Sequence, residues 1–182
     1  VAWPEGVGGL EILELGFGGE LKNMRKVSDG GARVTAFTID AREIELAKKR
    51  LGKAGQNIRW IRGDFRGGLP QFRNEEFDGA MFKNILDLLK APSPEIFKKF
   101  LKELHRILKP GGMIIISDIA PGGFGDPISR GFKSPILKRY LDEKESALNI
   151  RQIAHEAGFR LYYHDLLEEA GLLILRKPGR FS

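Results

Sequence analysis

A glycine-rich turn and two later carboxylates are the residues whose types and spacing suit ligand chemistry in this chain. The turn reads Glu14-Leu15-Gly16-Phe17-Gly18-Gly19-Glu20 and follows an apolar run. Glycines there let the backbone approach a ligand closely, and the N–H groups of a following helix then face it. Asp40 closes a second apolar run about twenty residues beyond that turn. A carboxylate at such a point in a nucleotide-binding sheet accepts hydrogen bonds from ribose hydroxyls. Asp64 closes a third run in Arg62-Gly63-Asp64-Phe65. Each feature alone reads equally as a tight turn, a surface acid or a helix cap. Together, at three consecutive run ends, they point to one site, because open α/β sheets bind ligands at the carboxyl ends of adjacent strands.

Such a site needs strands that end side by side. Leu10–Leu15, Arg33–Ile39, Ile58–Arg62, Gly79–Phe82 and Met113–Ser117 read as five strands. Most are nearly continuous apolar runs, as expected of strands covered on both faces. Helical segments alternate with them, the pattern of βαβ units and a mostly parallel sheet. Glu20–Val27 is a short helix closed by Asp29-Gly30-Gly31, and Arg42–Leu51 is a second, ended by Gly52. Pro94–Leu108 places Phe97, Phe100, Leu101, Leu104 and Leu108 on one stripe, with Ser93 as cap and Lys109-Pro110-Gly111-Gly112 as stop. Pro121–Pro135 has glycines and prolines but no period, so it reads as a mobile substrate loop. Asn149–Ala157 is the last helix. Phe159–Tyr163 and Leu172–Leu175 follow without a crossover helix and must pair antiparallel. The expected fold is one domain over residues 1–182: a doubly wound, mostly parallel seven-stranded α/β sheet ending in an antiparallel hairpin.

Composition narrows the class. At 182 residues the chain suffices for one domain and its core. The longest apolar runs, such as Met113–Ile116, are far too short to span a bilayer, and the start carries no secretory pattern. No cysteine is present, so a disulfide framework and a thiolate metal site are both excluded. A cytoplasmic protein with no metal is expected. A net charge of +6 permits nucleic acid or an anionic substrate as partner, although a solvated lysine-rich surface explains it as well. His105, His155 and His164 are scattered, and no spacing supports a Ser-His-Asp arrangement.

Over Leu10–Lys177 the chain resembles the class I S-adenosylmethionine-dependent methyltransferases, particularly their small-molecule branch. The residues carrying the resemblance are Glu14-Leu15-Gly16-Phe17-Gly18, Asp40, Gly63-Asp64-Phe65 and Phe77-Asp78-Gly79-Ala80-Met81. The most specific block is Leu101-Lys102-Glu103-Leu104-His105-Arg106-Ile107-Leu108-Lys109-Pro110-Gly111-Gly112. The resemblance implies a Rossmann-like fold and S-adenosyl-L-methionine as cofactor. It implies that Glu14, Gly16 and Gly18 line the methionine end, and that Asp40 binds the ribose hydroxyls with Ala41 and Arg42 beside the adenine. Asp64 would accept from the adenine amino group, the Phe65 backbone would contact the ring, and the Lys83 backbone would lie near the cofactor's amino group. The chain departs from the family at Glu20, where a third glycine is usual. The amino-terminal helices that commonly cover the cofactor have no counterpart before Leu10. Their place would fall to a trimmed segment, a partner or a second subunit in a homo-oligomer.

The exit of the fourth strand, Phe82-Lys83-Asn84-Ile85-Leu86, lacks the Asn/Asp-Pro-Pro-aromatic motif of amino-group methyltransferases. Nor do Lys83 and Asp118-Ile119 supply the acidic and asparagine ligands of the magnesium-dependent catechol-type enzymes. A nicotinamide dehydrogenase would require glycine where Leu21 stands. Asn84, Asp87 and Asp118 are the acceptor-contact candidates, and a small-molecule acceptor is expected ahead of RNA. A non-catalytic methyltransferase-like subunit, binding RNA or a partner protein, is a third reading.

Overall fold

The computed structural model describes residues 6–17, 21–83, 94–119, 152–167 and 170–180, with backbone alone at 83, 94, 117–119, 163–167 and 170–173. All seven expected strands form: β1 (Glu11–Leu15), β2 (Arg33–Thr38), β3 (Arg59–Arg62), β4 (Phe77–Lys83), β5 (Leu108–Ile119), β6 (Arg160–Leu167) and β7 (Ala170–Arg176). They lie in the order β3-β2-β1-β4-β5-β7-β6. Strands β1 to β5 run parallel, while β7 pairs antiparallel with both β5 and β6. The order reverses at β1, which lies between β2 and β4. This is the topological switch where open α/β sheets leave a crevice at their carboxyl edge.

Strand alternation sends successive side chains to opposite faces, and each face meets its own helices. Ile12, Val34, Ala36, Met81 and Ile115 pack with Met24 and Val27 of α1 (Lys22–Asp29) and Ile44 and Ala47 of α2 (Ala41–Leu51). Leu13, Leu15, Phe37, Phe82, Ile114 and Ile116 meet Phe97, Phe100, Leu101 and Leu104 of α3 (Pro94–Ile107). Ile153 and Ala154, in the helical segment 152–156, complete this second core.

Several boundaries differ from expectation. β2 stops at Thr38, so Asp40 stands outside it as the N-cap of α2. A 3₁₀ helix, Gly52–Asn57, fills the gap before β3. The largest difference is at Lys109-Pro110-Gly111-Gly112, which ends α3 yet belongs to β5. The Gly111 N–H donates to Lys177 O at 3.1 Å and the Lys177 N–H donates to Gly112 O at 2.8 Å. These bonds prolong the β5–β7 ladder through the Pro-Gly-Gly block. The β4–β5 register meanwhile shifts between Phe77 and Gly79. The Ser93 cap, the 121–135 loop and residues 149–151 of the last expected helix lie outside the described residues.

Candidate ligand site at the strand ends

The exits of β1, β2 and β3 are tied into one row by bonds just beyond the strands. The Gly16 N–H donates to Phe37 O at 2.9 Å, and the Gly63 N–H donates to Thr38 O, also at 2.9 Å. Gly16 turns the chain with φ of +63°, a conformation that favours glycine. Gly63 is required by close approach, since a Cβ there would lie 2.6 Å from Phe37 Cζ. Phe17 anchors the start of the turn, buried edge-on against Trp60 with ring centroids 5.5 Å apart. Gly18, Gly19 and Glu20 lie outside the described residues.

Asp40 is exposed, and its Oδ1 accepts from the Arg42 N–H at 2.8 Å, capping α2. Glu43, three residues on, has the spacing of a capping box but uses its carboxylate differently. Thr38 Oγ1 donates to Glu43 Oε2 at 2.6 Å and accepts from the Asp40 N–H at 3.3 Å. A buried threonine therefore links the two acids and fixes the backbone from which Asp40 projects. Ala41 and Arg42 open α2 at the exposed surface beside it.

Asp64 is capped and paired at once. Its Oδ1 accepts from the Arg66 N–H at 3.0 Å, while Arg66 Nη2 donates to Oδ2 at 2.7 Å. The Arg66 side-chain bonds, with the backbone bond second, hold this carboxyl below the usual carboxylate range. Phe65 turns inward, its ring centroid 5.5 Å from that of Phe100, which fixes the short 3₁₀ turn Phe65–Gly67 under Asp64. The cap alternative for both acids is thus realised in the structure. Capping does not consume a carboxylate's acceptor capacity, so it is compatible with a ligand role.

Glu14 is the unusual residue of the site. It pairs with Ala36 and Met81 near the end of the central strand and is 7% exposed. Among the described residues its Oε2 has no hydrogen-bond partner, and burial pushes its carboxyl up to about 8. An orphaned buried acceptor of this kind fits a ligand that brings donors and positive charge, as the methionine end of S-adenosylmethionine does.

At the other side of the switch, Lys83 pairs with Ser117 and Asp118 pairs with Gly171 along the backbone. Asn84 and Asp87 lie outside the described residues. Neither His105 nor His155 takes part in the hydrogen bonds that join these strand exits. His105 packs edge-on against Phe159 at 5.2 Å, with burial first and then Lys177 holding it below the ordinary histidine range, and His155 is exposed. Two contributors escaped the sequence reading. The Thr38–Glu43 relay was signalled by the Asp-x-x-Glu spacing, whereas nothing in Asp64-Phe65-Arg66 distinguishes a paired arginine from a solvated one.

Comparison with known proteins agrees with this architecture. Residues 13–116 match the family described as methyltransferase domain. A demethylmenaquinone methyltransferase from Tropheryma whipplei is 32% identical over 133 residues, covering 73% of this chain and 48% of the relative. The O-methyltransferase cnsE of Penicillium expansum is 25% identical over 162 residues, covering 84% and 53%. The chain thus spans about half the length of these curated relatives. A S-adenosylmethionine-dependent methyltransferase structure from Methanosarcina mazei superposes with a TM-score of 0.67 at 19% identity, covering 94% of each chain. The [4+2]-cyclase SpnF shares the fold equally, with a TM-score of 0.67 at 17% identity over 94% of this chain and 76% of its own. The chain belongs to the methyltransferase-domain family, in the class I S-adenosylmethionine-dependent group.

Proposed function

We propose that this chain, as a single domain, binds S-adenosyl-L-methionine across the β1–β4 switch and transfers its methyl group to a small-molecule acceptor. The observation that carries this reading is the row of Gly16, Asp40 and Asp64 at the joined exits of β1, β2 and β3, with buried Glu14 beneath it, whose Oε2 has no partner among the described residues. Asp40 receives the ribose hydroxyls, with Ala41 and Arg42 beside the adenine, and Asp64 and the Phe65 backbone receive the base. Gly16, Gly18 and the Lys83 backbone line the methionine end with Glu14. When bound, S-adenosylmethionine supplies an activated methyl on a sulfonium that is its own leaving group. The protein's task is then to hold a nucleophile in line and exclude water. A base is needed only for an acceptor still protonated at the working pH. Asn84, Asp87 and Asp118 are proposed to contact the acceptor. The names of the curated relatives support a small molecule, and the expected cytoplasmic location belongs to the same reading.

The Glu20 departure favours keeping a non-catalytic, methyltransferase-like subunit that binds RNA or a partner protein as the second reading, since a fold does not by itself imply an activity. Calorimetry with S-adenosylmethionine and NAD, followed by methyl transfer from labelled cofactor to candidate acceptors, separates the readings. Saturable binding of S-adenosylmethionine alone is expected. Binding of NAD, or of neither, would overturn the assignment.

A further inference from the structure

Building on that reading, we propose that Glu14 exchanges a proton for the α-ammonium of the methyl donor, so that cofactor binding expels one proton from the site. Glu14 stands one residue before the end of β1, on the α1–α2 side of the sheet between Ala36 and Met81. Gly16 turns the chain two residues later. Among the described residues, its Oε2 is the buried side-chain oxygen or nitrogen left without a partner. A buried carboxylate with no donor and no counter-charge is costly, and such a group keeps its proton. Its raised value of about 8 comes from burial, with no neighbouring charge among the described residues contributing.

The charged groups of the adjoining elements are otherwise placed. On β2 and α2, Glu43 receives the Thr38 hydroxyl and Asp40 caps the helix. Arg42 is exposed on α2, as are Lys22, Arg25 and Lys26 on α1. From the glycine turn and β4, the side chains of Glu20 and Lys83 lie outside what is described, so they enter the test. The ligand offers two positive centres, and chemistry chooses between them. An ammonium has N–H donors for the orphaned oxygen, and a sulfonium has none. Placed within reach, the ammonium favours the ionised carboxylate. The neutral Glu14 carboxyl then gives its O–H proton to solvent, keeps the electron pair, and accepts from the ligand's N–H. The ammonium retains all its protons.

Titration calorimetry in two buffers of different ionisation enthalpy counts that proton. At about pH 6.5 the free α-amino group is still protonated. S-adenosylmethionine and S-adenosylhomocysteine should each release close to one proton, and 5′-methylthioadenosine, which lacks the amino acid, none. Affinity for S-adenosylmethionine should rise about tenfold per pH unit between about 5.5 and 7. Glu14→Gln should abolish both the release and the slope. Glu20→Gln and Lys83→Met should leave the proton count unchanged. Binding without proton release, equal release by 5′-methylthioadenosine, or release that persists in Glu14→Gln or vanishes in Glu20→Gln or Lys83→Met would overturn the proposal. The ligand comparison on the unmodified chain decides the matter even if Glu14→Gln does not fold. A folded chain that binds no S-adenosylmethionine would overturn the cofactor reading itself, and this proposal with it.

Discussion

Asp40 combines two duties, and the choice of replacement separates them. Asp40→Ala removes the α2 cap, at about 1 kcal/mol of stability, together with the proposed ribose contacts. Asp40→Ser keeps a capping oxygen but is too short to serve the hydroxyls. Both variants should lose cofactor affinity by roughly 10- to 100-fold, while only the alanine lowers the urea midpoint. Unchanged affinity in both would remove the ribose assignment. Asp64→Ala should cost less affinity, because the adenine keeps backbone and packing contacts; a larger loss than at Asp40 would reverse that order. Glu14 acts on stability as well as on binding. The unfolded chain ionises it near 4.5, whereas the native protein holds the proton up to about 8. Its contribution is therefore fully present below 4.5 and is lost as the pH rises towards about 8. The slope between those limits is up to about 1.4 kcal/mol per pH unit. Glu14→Gln should match the unmodified protein near the acid limit and exceed it by several kcal/mol above the alkaline one. Melting temperatures taken across that range check this, and equal pH profiles for the two proteins would show that Glu14 is solvated.

The elements hold this site through a clasp at the carboxyl end of α3. Arg106 Nη1 donates to Phe72 O at 2.9 Å and Nη2 to Leu69 O at 2.8 Å, while Glu103 Oε2 accepts from the Leu69 N–H at 3.0 Å. Helix α3 thereby grips the connection between Asp64 and β4. Arg106→Ala should lower stability by about 2 kcal/mol in urea unfolding. Arg106→Lys should recover little, since a single ammonium nitrogen lacks the planar, spread donors with which Arg106 reaches Phe72 O, Leu69 O and Glu103 at once. Full stability in the lysine variant would show that charge alone suffices. The elements themselves were legible in the sequence: apolar runs became strands, and the Phe97–Leu104 stripe is buried as its period requires. The hairpin followed from the missing crossover. What stayed hidden depends on tertiary partners. Pro110-Gly111-Gly112 carries every local sign of a stop, and bonds from the end of β7 and just beyond it, chiefly the Lys177 backbone, draw the block into β5. Lys177 Nζ also bonds His105 O and Leu108 O, closing α3 from a distant strand. At the site, the positions of Asp40 and Asp64 were readable, but a strand-end acid and a helix cap look alike in sequence. That Oε2 of Glu14 has no partner among the described residues depends on which neighbours flank β1, which the linear order does not give.

At the scale of the whole molecule the remaining question is what the positive charge is for. The net charge is +6, yet many described basic groups are balanced by a local acid. Arg25 pairs with Asp29, Lys48 with Glu45, Arg59 with Glu76, Lys109 with Asp78, and Arg33 with Glu11. Such pairs are spread over α1, α2 and strands β1 to β5 and contribute little stability each, because exposed ion pairs are screened by solvent. A nucleic-acid surface would instead gather unpaired cations along one path. Arg130, Lys133, Lys138 and Arg139, clustered in sequence after β5, are the candidates for such a role, and they lie outside the described residues. For a small-molecule acceptor, methyl transfer should change little with salt, and neutralising these four residues should alter acceptor affinity at most. RNA makes a different demand. Its phosphates release counterions on binding, so affinity would fall steeply and log-linearly with salt, and the fourfold variant would flatten that slope by about three to four. Filter binding of a structured RNA across a salt series is expected to show only weak association, with the same slope in both proteins. A submicromolar, salt-steep complex that disappears in the variant would move the acceptor from small molecule to RNA.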